Sequence, residues 1–305
     1  SINAGLDMFM APDSWKGLYE TTLKQAKDGT IPAARLDDAV RRILRVKYKL
    51  GLFPEGHVDR SVVKTVGTPE HLAVAREAAA KSLVLHKNNG NVLPIKAGAR
   101  VLVTGPGADN MAMQSGGWTI SWQGTDVVRS DFPNGQTIWE ALDKSVRDAG
   151  GVAALSEDGV FKEKPDVAIV VFGEAPYAEF QGDVATLDYQ PTEASDLATL
   201  KKLKVAGIPV VALFLSGRPM FTNPEINAAD AFVAGWLPGS QGAGDAGGLV
   251  AGKDGKMARG FTGTLPFAWP ADARSPVEKP QFATGYGLKY GETKPVGPLS
   301  EEMGI

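Results

Sequence analysis

Four side chains that can bind or donate a proton lie within ten residues of one another, in the segment 174–183. Glu174, Tyr177, Glu179 and Asp183 follow DVAIVVF, an apolar and β-branched run that is typical of a buried strand. Open α/β sheets place their chemistry just beyond the carboxyl ends of such strands. The spacing therefore predicts a loop in which a carboxyl group transfers a proton.

Each of these carboxylates also has an ordinary explanation, because acidic side chains are mostly exposed and a loop can be acidic without a function. The neighbouring Phe172 and Pro176 favour a functional role. A glutamate against an apolar wall has a raised pKa and can act as a general acid near neutral pH. Asp183 is equally well explained as a turn-forming residue. Arg218, in the SGRP segment after a second apolar run, is expected to tether a carboxylate.

Two tryptophans, Trp118 and Trp122, lie in the glycine-rich segment QSGGWTISWQG. Paired glycines before Trp118 allow the backbone to present an indole in an exposed loop, where its flat apolar face suits the C–H face of a sugar ring. The alternative is that Trp118 anchors the core with Trp122 as its packing partner, since large aromatic residues are usually at least partly buried. Composition alone favours that alternative.

The loop before these tryptophans begins with Gly105-Pro106-Gly107, which matches the first two glycines of a dinucleotide-binding turn. Asn110 occupies the position of the third glycine, and no helical pattern follows directly. The motif is therefore only weak support for a nucleotide site.

The composition excludes several classes of function. A formal net charge of −3 and the lack of a long basic run argue against a nucleic-acid partner. No apolar run approaches the roughly 20 residues that span a bilayer, so no membrane partner is expected. The chain has no cysteine, and its three histidines lack the i, i+4 spacing of a helical metal pair. No metal site is predicted.

The pattern of apolar residues predicts an α/β chain organised in two domains. The first resembles the end piece of a TIM-like (β/α) barrel whose earlier part is absent. The second alternates strands with helices, which predicts a mainly parallel sheet covered on both faces. The predicted bounds are 1–51 for the barrel piece, 52–68 for a linker, 69–290 for the second domain and 291–305 for a polar tail.

The strongest predicted helix is 35–50, which has apolar residues on one face, acidic residues near its start and basic residues near its end. The other elements of the first domain are a strand at 5–10 and a helix at 15–28. In the second domain, strands are predicted at 83–86, 100–105, 152–155, 166–172, 209–215 and 230–237, and helices at 69–82, 137–149, 192–206 and 241–251.

Taken in order, these motifs resemble those of glycoside hydrolase family 3, the β-glucosidases and exo-β-glucanases. The matching segments are NAGLDMFM (3–10), RLDDAVRRILRVKYKLGLF (35–53), AREAAAKSLVLHKNNGNVLPI (75–95), VLVTGPGADN (101–110), QSGGWTISWQG (114–124), VVFGEAPYAEFQGD (170–183), LSGRP (215–219), WLPGSQG (236–242) and YGL (286–288). They cover nearly the whole chain. The segments that carry Trp118 and Glu179 most resemble the exo-1,3/1,4-β-glucanase branch.

The resemblance implies a retaining glycosidase in which a barrel supplies an aspartate nucleophile and a following α/β sandwich supplies the acid/base glutamate. Retention needs two carboxyl groups about 5–5.5 Å apart. By motif match, Glu179 is the acid/base and Glu174 the fallback. Trp118 matches the aromatic clamp at the leaving-group subsite, and Met10 matches a residue that lines the glucose pocket. Asp7 is not the nucleophile, which is expected upstream, outside this chain.

The resemblance also implies exo-acting hydrolysis that releases glucose from the non-reducing ends of β-glucans or β-gluco-oligosaccharides. The expected partners are this substrate and the missing N-terminal barrel segment. No cofactor is implied, and a periplasmic or secreted location is expected. The alternative is a non-catalytic α/β module that binds a sugar or a nucleotide, which would keep Trp118 and the loop 105–107 and need no nucleophile.

Overall fold

The computed structural model describes residues 1–53, 60–189, 195–242, 244, 248–257, 259–292 and 294–305. They form two compact units, 1–66 and 67–305. Within these ranges, no helix is long and apolar enough to cross a membrane. Nor do the described ranges contain a group of three or more histidine, cysteine or acidic residues that could hold a metal ion.

The first unit contains two helices, α1 (Trp15–Lys27) and α2 (Ala33–Lys49), and α2 confirms the strongest predicted helix. The strand predicted at 5–10 is wrong, because a strand needs hydrogen bonds from a neighbour and these residues pair with none in the described part of the chain. Asp7 instead forms an ion pair with Arg35 at the start of α2.

The second unit contains a six-stranded sheet in the order β1-β6-β5-β4-β2-β3 and a separate pair, β7-β8. Its elements are α3 (Pro69–Ser82), β1 (Val84–Asn88), β2 (Arg100–Thr104), α4 (Met111–Ser115), α5 (Ile138–Asp148), β3 (Val152–Ser156), β4 (Val167–Gly173), α6 (Ser195–Val205), β5 (Val210–Leu215), α7 (Asn223–Ala228), β6 (Ala231–Ala234), β7 (Trp269–Pro270) and β8 (Pro280–Phe282). Within the larger sheet, β1 is antiparallel to β6 and all other neighbours are parallel. The predicted α/β class with a mainly parallel sheet is confirmed.

The central strand β4 is apolar throughout because both of its faces are covered. Ile169 and Val171 lie in one core cluster, together with residues of α5. Val170 and Phe172 lie in a second cluster, together with residues of α6. Successive side chains of a strand point to opposite faces, so a strand between two helical layers must be apolar at every position.

Several predicted boundaries differ from the structure. β6 ends at Ala234 rather than at 237, because Trp236 has a φ of 57° and leaves the extended conformation. The prediction that no helical pattern follows Asn110 directly is wrong, since α4 begins at Met111. The predicted helix 192–206 is described from Ser195 onward, and part of the predicted helix 241–251 lies outside the described residues.

The C-terminal residues lie along the second unit without forming a helix or strand in the described part. The side-chain amide of Asn89 both accepts from the N–H and donates to the carbonyl of Val296, at 3.0 and 2.9 Å. The side-chain amide of Asn227 likewise accepts from the N–H of Leu299 at 2.8 Å and donates to its carbonyl oxygen at 2.9 Å. Two asparagines therefore replace the partner strand that this segment lacks.

The order of the strands reverses at β2, because the next strand along the chain, β3, lies on one side of it and β4 lies on the other. The connections on the two sides of such a point diverge and leave a crevice at the carboxyl ends of the strands. A cavity of about 730 Å³ lies there, and Pro106, Glu174 and Arg218 contribute to its lining. These residues follow β2, β4 and β5, so the fold brings together loops that are far apart in the sequence.

Candidate active site

Glu174, the first residue after β4, has its carboxylate fully occupied by hydrogen bonds. Oε1 accepts from Nε and Nη2 of Arg218, at 3.0 and 2.7 Å. Oε2 accepts from the hydroxyls of Tyr177, at 3.0 Å, and Ser216, at 2.6 Å. Arg218 also donates to the carbonyl oxygen of Gly182 at 2.6 Å, so the predicted tethering of a carboxylate by Arg218 is confirmed.

This network fixes the loop 174–182 rather than leaving a group free to react. The guanidinium carbon of Arg218 lies 4.3 Å from the centre of the Tyr177 ring. Burial, together with the adjacent Glu174 carboxylate, raises the pKa of Tyr177 to about 12, so its hydroxyl stays protonated and donates. A carboxylate that accepts from four donors, two of them on one guanidinium, is held in a single orientation, which suits a structural role.

Glu179 lies further along the same loop, and its side chain is exposed. Its Oε2 accepts hydrogen bonds from the indole nitrogens of Trp118, at 2.9 Å, and Trp122, at 2.6 Å. The hydrogen bond from Trp122 is the main cause that lowers the pKa of Glu179. The expectation that an apolar wall raises this pKa is therefore wrong for the described structure, because the nearest groups are donors that stabilise the ionised carboxylate.

The loop that carries Trp118 and Trp122 is also joined to the backbone of the loop 174–182 by the side-chain amide of Gln123. Gln123 accepts from the N–H of Ala178 at 2.7 Å and donates to the carbonyl oxygen of Glu179 at 3.1 Å. A Cβ atom on Gly117 would lie 2.0 Å from the carbonyl oxygen of Tyr177. A larger residue at this position would push the two loops apart and separate Glu179 from its indole donors.

The structure brings three of the four predicted site residues into one region. Glu174 and Glu179 share a loop, and Trp118 contacts Glu179 with its ring 68% exposed. Exposure of this size excludes the interpretation of Trp118 as a core anchor. Met10 belongs to the first unit, where its side chain is 94% exposed, and its role stays a prediction. Sequence reasoning assigned no direct contact with Glu179 to Trp122.

The glycine turn at 105–107 packs closely against the backbone of β4. The N–H of Gly107 donates to the carbonyl oxygen of Val171 in β4 at 2.9 Å. A Cβ atom on Gly105, whose φ is +97°, would lie 2.3 Å from the same oxygen. Asn110 caps α4 by accepting from the N–H of Met113 at 3.0 Å. The backbone donor that a phosphate would use at Gly107 is thus already occupied.

Comparison with known proteins identifies the family to which this fold belongs. The model of the glycosyl hydrolase family 3 C-terminal domain matches residues 83–290, which contain the whole six-stranded sheet and both loops. The chain belongs to glycosyl hydrolase family 3. This result confirms the resemblance that the sequence motifs carry.

Similar family 3 proteins include a lysosomal β-glucosidase of Dictyostelium discoideum, 32% identical over 95% of this chain and 38% of its own length. A periplasmic β-glucosidase of Salmonella typhimurium is 30% identical over 79% of this chain and 35% of its own length. The solved structure of an exo-1,3/1,4-β-glucanase from a Pseudoalteromonas species is 48% identical with a TM-score of 0.93, covering 99% of this chain and 39% of that one. The chain thus spans about two fifths of the length of these relatives.

A second group of acidic residues in the family 3 domain is buried. Glu225, in α7, is 5% exposed, and burial is the main cause that raises its pKa from the ordinary 4.5 to about 7. The charges of Asp196, Asp188 and Glu301 raise it further. Burial also raises the pKa of Asp196, whose Oδ2 accepts from the Tyr189 hydroxyl at 2.7 Å. Charged Glu225 therefore opposes folding.

Glu225→Gln is expected to stabilise the full-length family 3 protein by about 3 kcal/mol at pH 8 and by less than about 1 kcal/mol at pH 5. Because the pKa of Glu225 is raised in the folded state, the parent glutamate contributes fully to stability below about pH 4.5. This contribution is lost as the pH rises through about 7. Melting temperatures of variant and parent at both pH values measure the difference. The exposed Glu157→Gln is the control, and an equal gain at both pH values would contradict the prediction.

Proposed function

We propose that this chain forms the acid/base part of a retaining, exo-acting β-glucosidase or β-glucanase. Glu179 donates a proton to the leaving oxygen of a β-linked glucoside and afterwards removes a proton from water. An aspartate outside this chain is the nucleophile. The names of the family 3 relatives, two β-glucosidases and an exo-1,3/1,4-β-glucanase, support the substrate class.

One observation carries the choice of Glu179 over Glu174. The carboxylate of Glu179 is exposed, and both indole nitrogens donate to the same oxygen, Oε2. Both oxygens of Glu174 are occupied, and its side chain is only 12% exposed. A proton donor must reach the leaving oxygen of a bound substrate, so the accessible carboxyl group is the one suited to this task.

The two indole donors suit the second half of the reaction. They favour ionised Glu179, and the ionised form is the base that activates water in the hydrolysis of a glycosyl-enzyme intermediate. In the first half, a bound substrate replaces water around the carboxylate, which disfavours the charged form and raises the pKa again. The same group thereby alternates between acid and base.

The assignment is tested with Glu179→Gln in the full-length protein. Cellobiose hydrolysis must fall steeply while an activated aryl β-glucoside still reacts, because only the poor leaving group needs a proton. A variant as active as the parent on cellobiose would overturn the assignment. Retention is tested separately on the parent by following the released glucose with NMR, where the β-anomer must form first.

Trp122→Phe is expected to shift the alkaline limb of the kcat/KM profile on cellobiose to higher pH. The substitution removes the hydrogen bond that contributes most to lowering the pKa of Glu179, so the protonated form persists to higher pH. The pH profile of the full-length variant measures this shift. Trp15→Phe, an exposed indole of the first unit, is the control. An alkaline limb that stays in place or moves to lower pH would refute this role of Trp122.

The proposed location is outside the cytoplasm, in the periplasm or secreted. The support is the name of the Salmonella relative, which is periplasmic, and that of the Dictyostelium relative, which is lysosomal. Both compartments lie beyond a membrane from the site of synthesis. Fractionation of the source cells, with the full-length protein detected in the cytoplasmic fraction alone, would contradict this proposal.

A further inference from the structure

Phe180, the residue after Glu179, is a large apolar side chain in an unfavourable position. Its ring is 75% exposed, and its backbone φ is 70°. The N–H of Gln181 donates to the carbonyl oxygen of Glu179 at 2.9 Å, which makes Phe180 the central residue of a γ-turn of the rare form with positive φ. Glycine adopts this conformation more readily than any aromatic residue.

Neither packing nor backbone preference explains an aromatic residue here. An exposed ring gains little from burial, and a bulky residue with positive φ is strained. Strained residues persist where the surrounding structure holds them, and they cluster at ligand-binding sites. Trp118 and Ile120, in the loop opposite, also have positive φ values, of 57° and 67°. The strain therefore lies on both sides of Glu179.

Phe180 continues the aromatic surface formed by the two tryptophans. Its ring centre lies 5.9 Å from that of Trp122, with an interplanar angle of 83°. The Trp122 and Trp118 rings are 6.2 Å apart. We call these three exposed rings the aromatic ridge. Since both indoles donate to Glu179, the ridge borders the carboxyl group that meets the leaving oxygen.

We propose that Phe180 is a specificity-determining residue that contacts the leaving group and favours substrates whose leaving group is itself a ring. The inference rests on the proposed function of Glu179. A second β-linked glucose presents axial C–H bonds on its flat face, and an aryl group presents a flat apolar surface. Both match an exposed phenyl ring, whereas methanol, the leaving group of methyl β-glucoside, has no ring to contact it.

The test compares Phe180→Gly with the parent in the full-length protein, because glycine keeps the γ-turn without strain. We expect kcat/KM on laminaribiose and cellobiose to fall by about 5- to 10-fold, and kcat/KM on methyl β-glucoside to change by less than about 2-fold. Phe180→Tyr should retain the activity on disaccharides. Phe267→Ala, at a similarly exposed phenylalanine (67%), is the matched control and should leave kcat/KM on all three substrates unchanged.

The outcomes separate this inference from the proposed function. Equal losses on the disaccharides and on methyl β-glucoside would overturn it, since they would show that Phe180 only supports the fold. Unchanged activity on all three substrates would also overturn it. A parent protein that hydrolyses none of them would instead refute the proposed function, on which the role of Phe180 depends.

Discussion

Glu179→Gln in the full-length protein is expected to lower kcat/KM on cellobiose by about 10²- to 10⁴-fold, the usual contribution of general acid–base catalysis. The glycosidic oxygen of cellobiose is a poor leaving group and departs only with a proton, which glutamine cannot supply. 2,4-Dinitrophenyl β-glucoside needs no proton, so formation of the glycosyl-enzyme intermediate should remain fast. The loss must therefore depend on the leaving group.

The second step of the reaction gives an independent signature of the same substitution. Glutamine cannot activate water, so the intermediate formed from the activated substrate should accumulate, with a burst of dinitrophenol followed by slow turnover. Azide needs no deprotonation to attack, and it should restore turnover by forming glucosyl azide. Glu157→Gln, at an exposed glutamate elsewhere in the same unit, is the control. An equal fall in kcat/KM on cellobiose and on 2,4-dinitrophenyl β-glucoside would contradict the acid/base role of Glu179.

The place of the reactive loop could be predicted from the sequence, and its internal contacts could not. β4 is recognisable because a strand covered on both faces is apolar at every position, and Glu174 follows directly where it ends. The contact between Trp118 and Glu179 joins residues 61 positions apart. It depends on the direction of two loops, and no periodicity encodes this direction.

The error about the pKa of Glu179 has a similar cause. Sequence neighbours suggest an apolar wall made of Phe172 and Pro176. Phe172 is fully buried and points into the core cluster beneath the sheet, so it does not face the carboxylate. The groups that do face it, the indole nitrogens of Trp118 and Trp122, come from another loop. Proximity in sequence thus identifies the right loop but the wrong environment.

The helix after Asn110 is not predicted from the sequence, for a different reason. α4 has only five residues, too few for a periodic pattern, and its start is marked by a single signal, the capping side chain of Asn110. The same asparagine argues against a nucleotide-binding turn. A residue that breaks one motif can therefore be the defining residue of another, and only the hydrogen bond to Met113 decides between them.

Glu174→Gln is expected to destabilise the full-length protein by about 2–4 kcal/mol, because it leaves the charge of Arg218 without its partner. The ion pair is largely buried, with side chains 20% and 12% exposed, and two hydroxyls also lose a charged acceptor. The melting temperature should fall by about 5–10 °C. The separate variant Arg218→Lys should also have a lower melting temperature than the parent, since lysine cannot make the bidentate contact with Glu174.

The kinetic pattern of Glu174→Gln distinguishes its role from that of Glu179. If Glu174 only holds the loop, its loss weakens the positioning of both substrates while Glu179 still supplies the proton, so kcat/KM falls by similar factors for cellobiose and for 2,4-dinitrophenyl β-glucoside. The surface pair Arg100–Glu163, 47% and 73% exposed, is the matched control, and Glu163→Gln should cost less than about 1 kcal/mol. A stable Glu174→Gln variant with a selective loss of kcat/KM on cellobiose, and with azide restoring its slow turnover of 2,4-dinitrophenyl β-glucoside, would transfer the acid/base role from Glu179 to Glu174. The two glutamates, five residues apart on one loop, are thus separable by stability and by leaving-group dependence together.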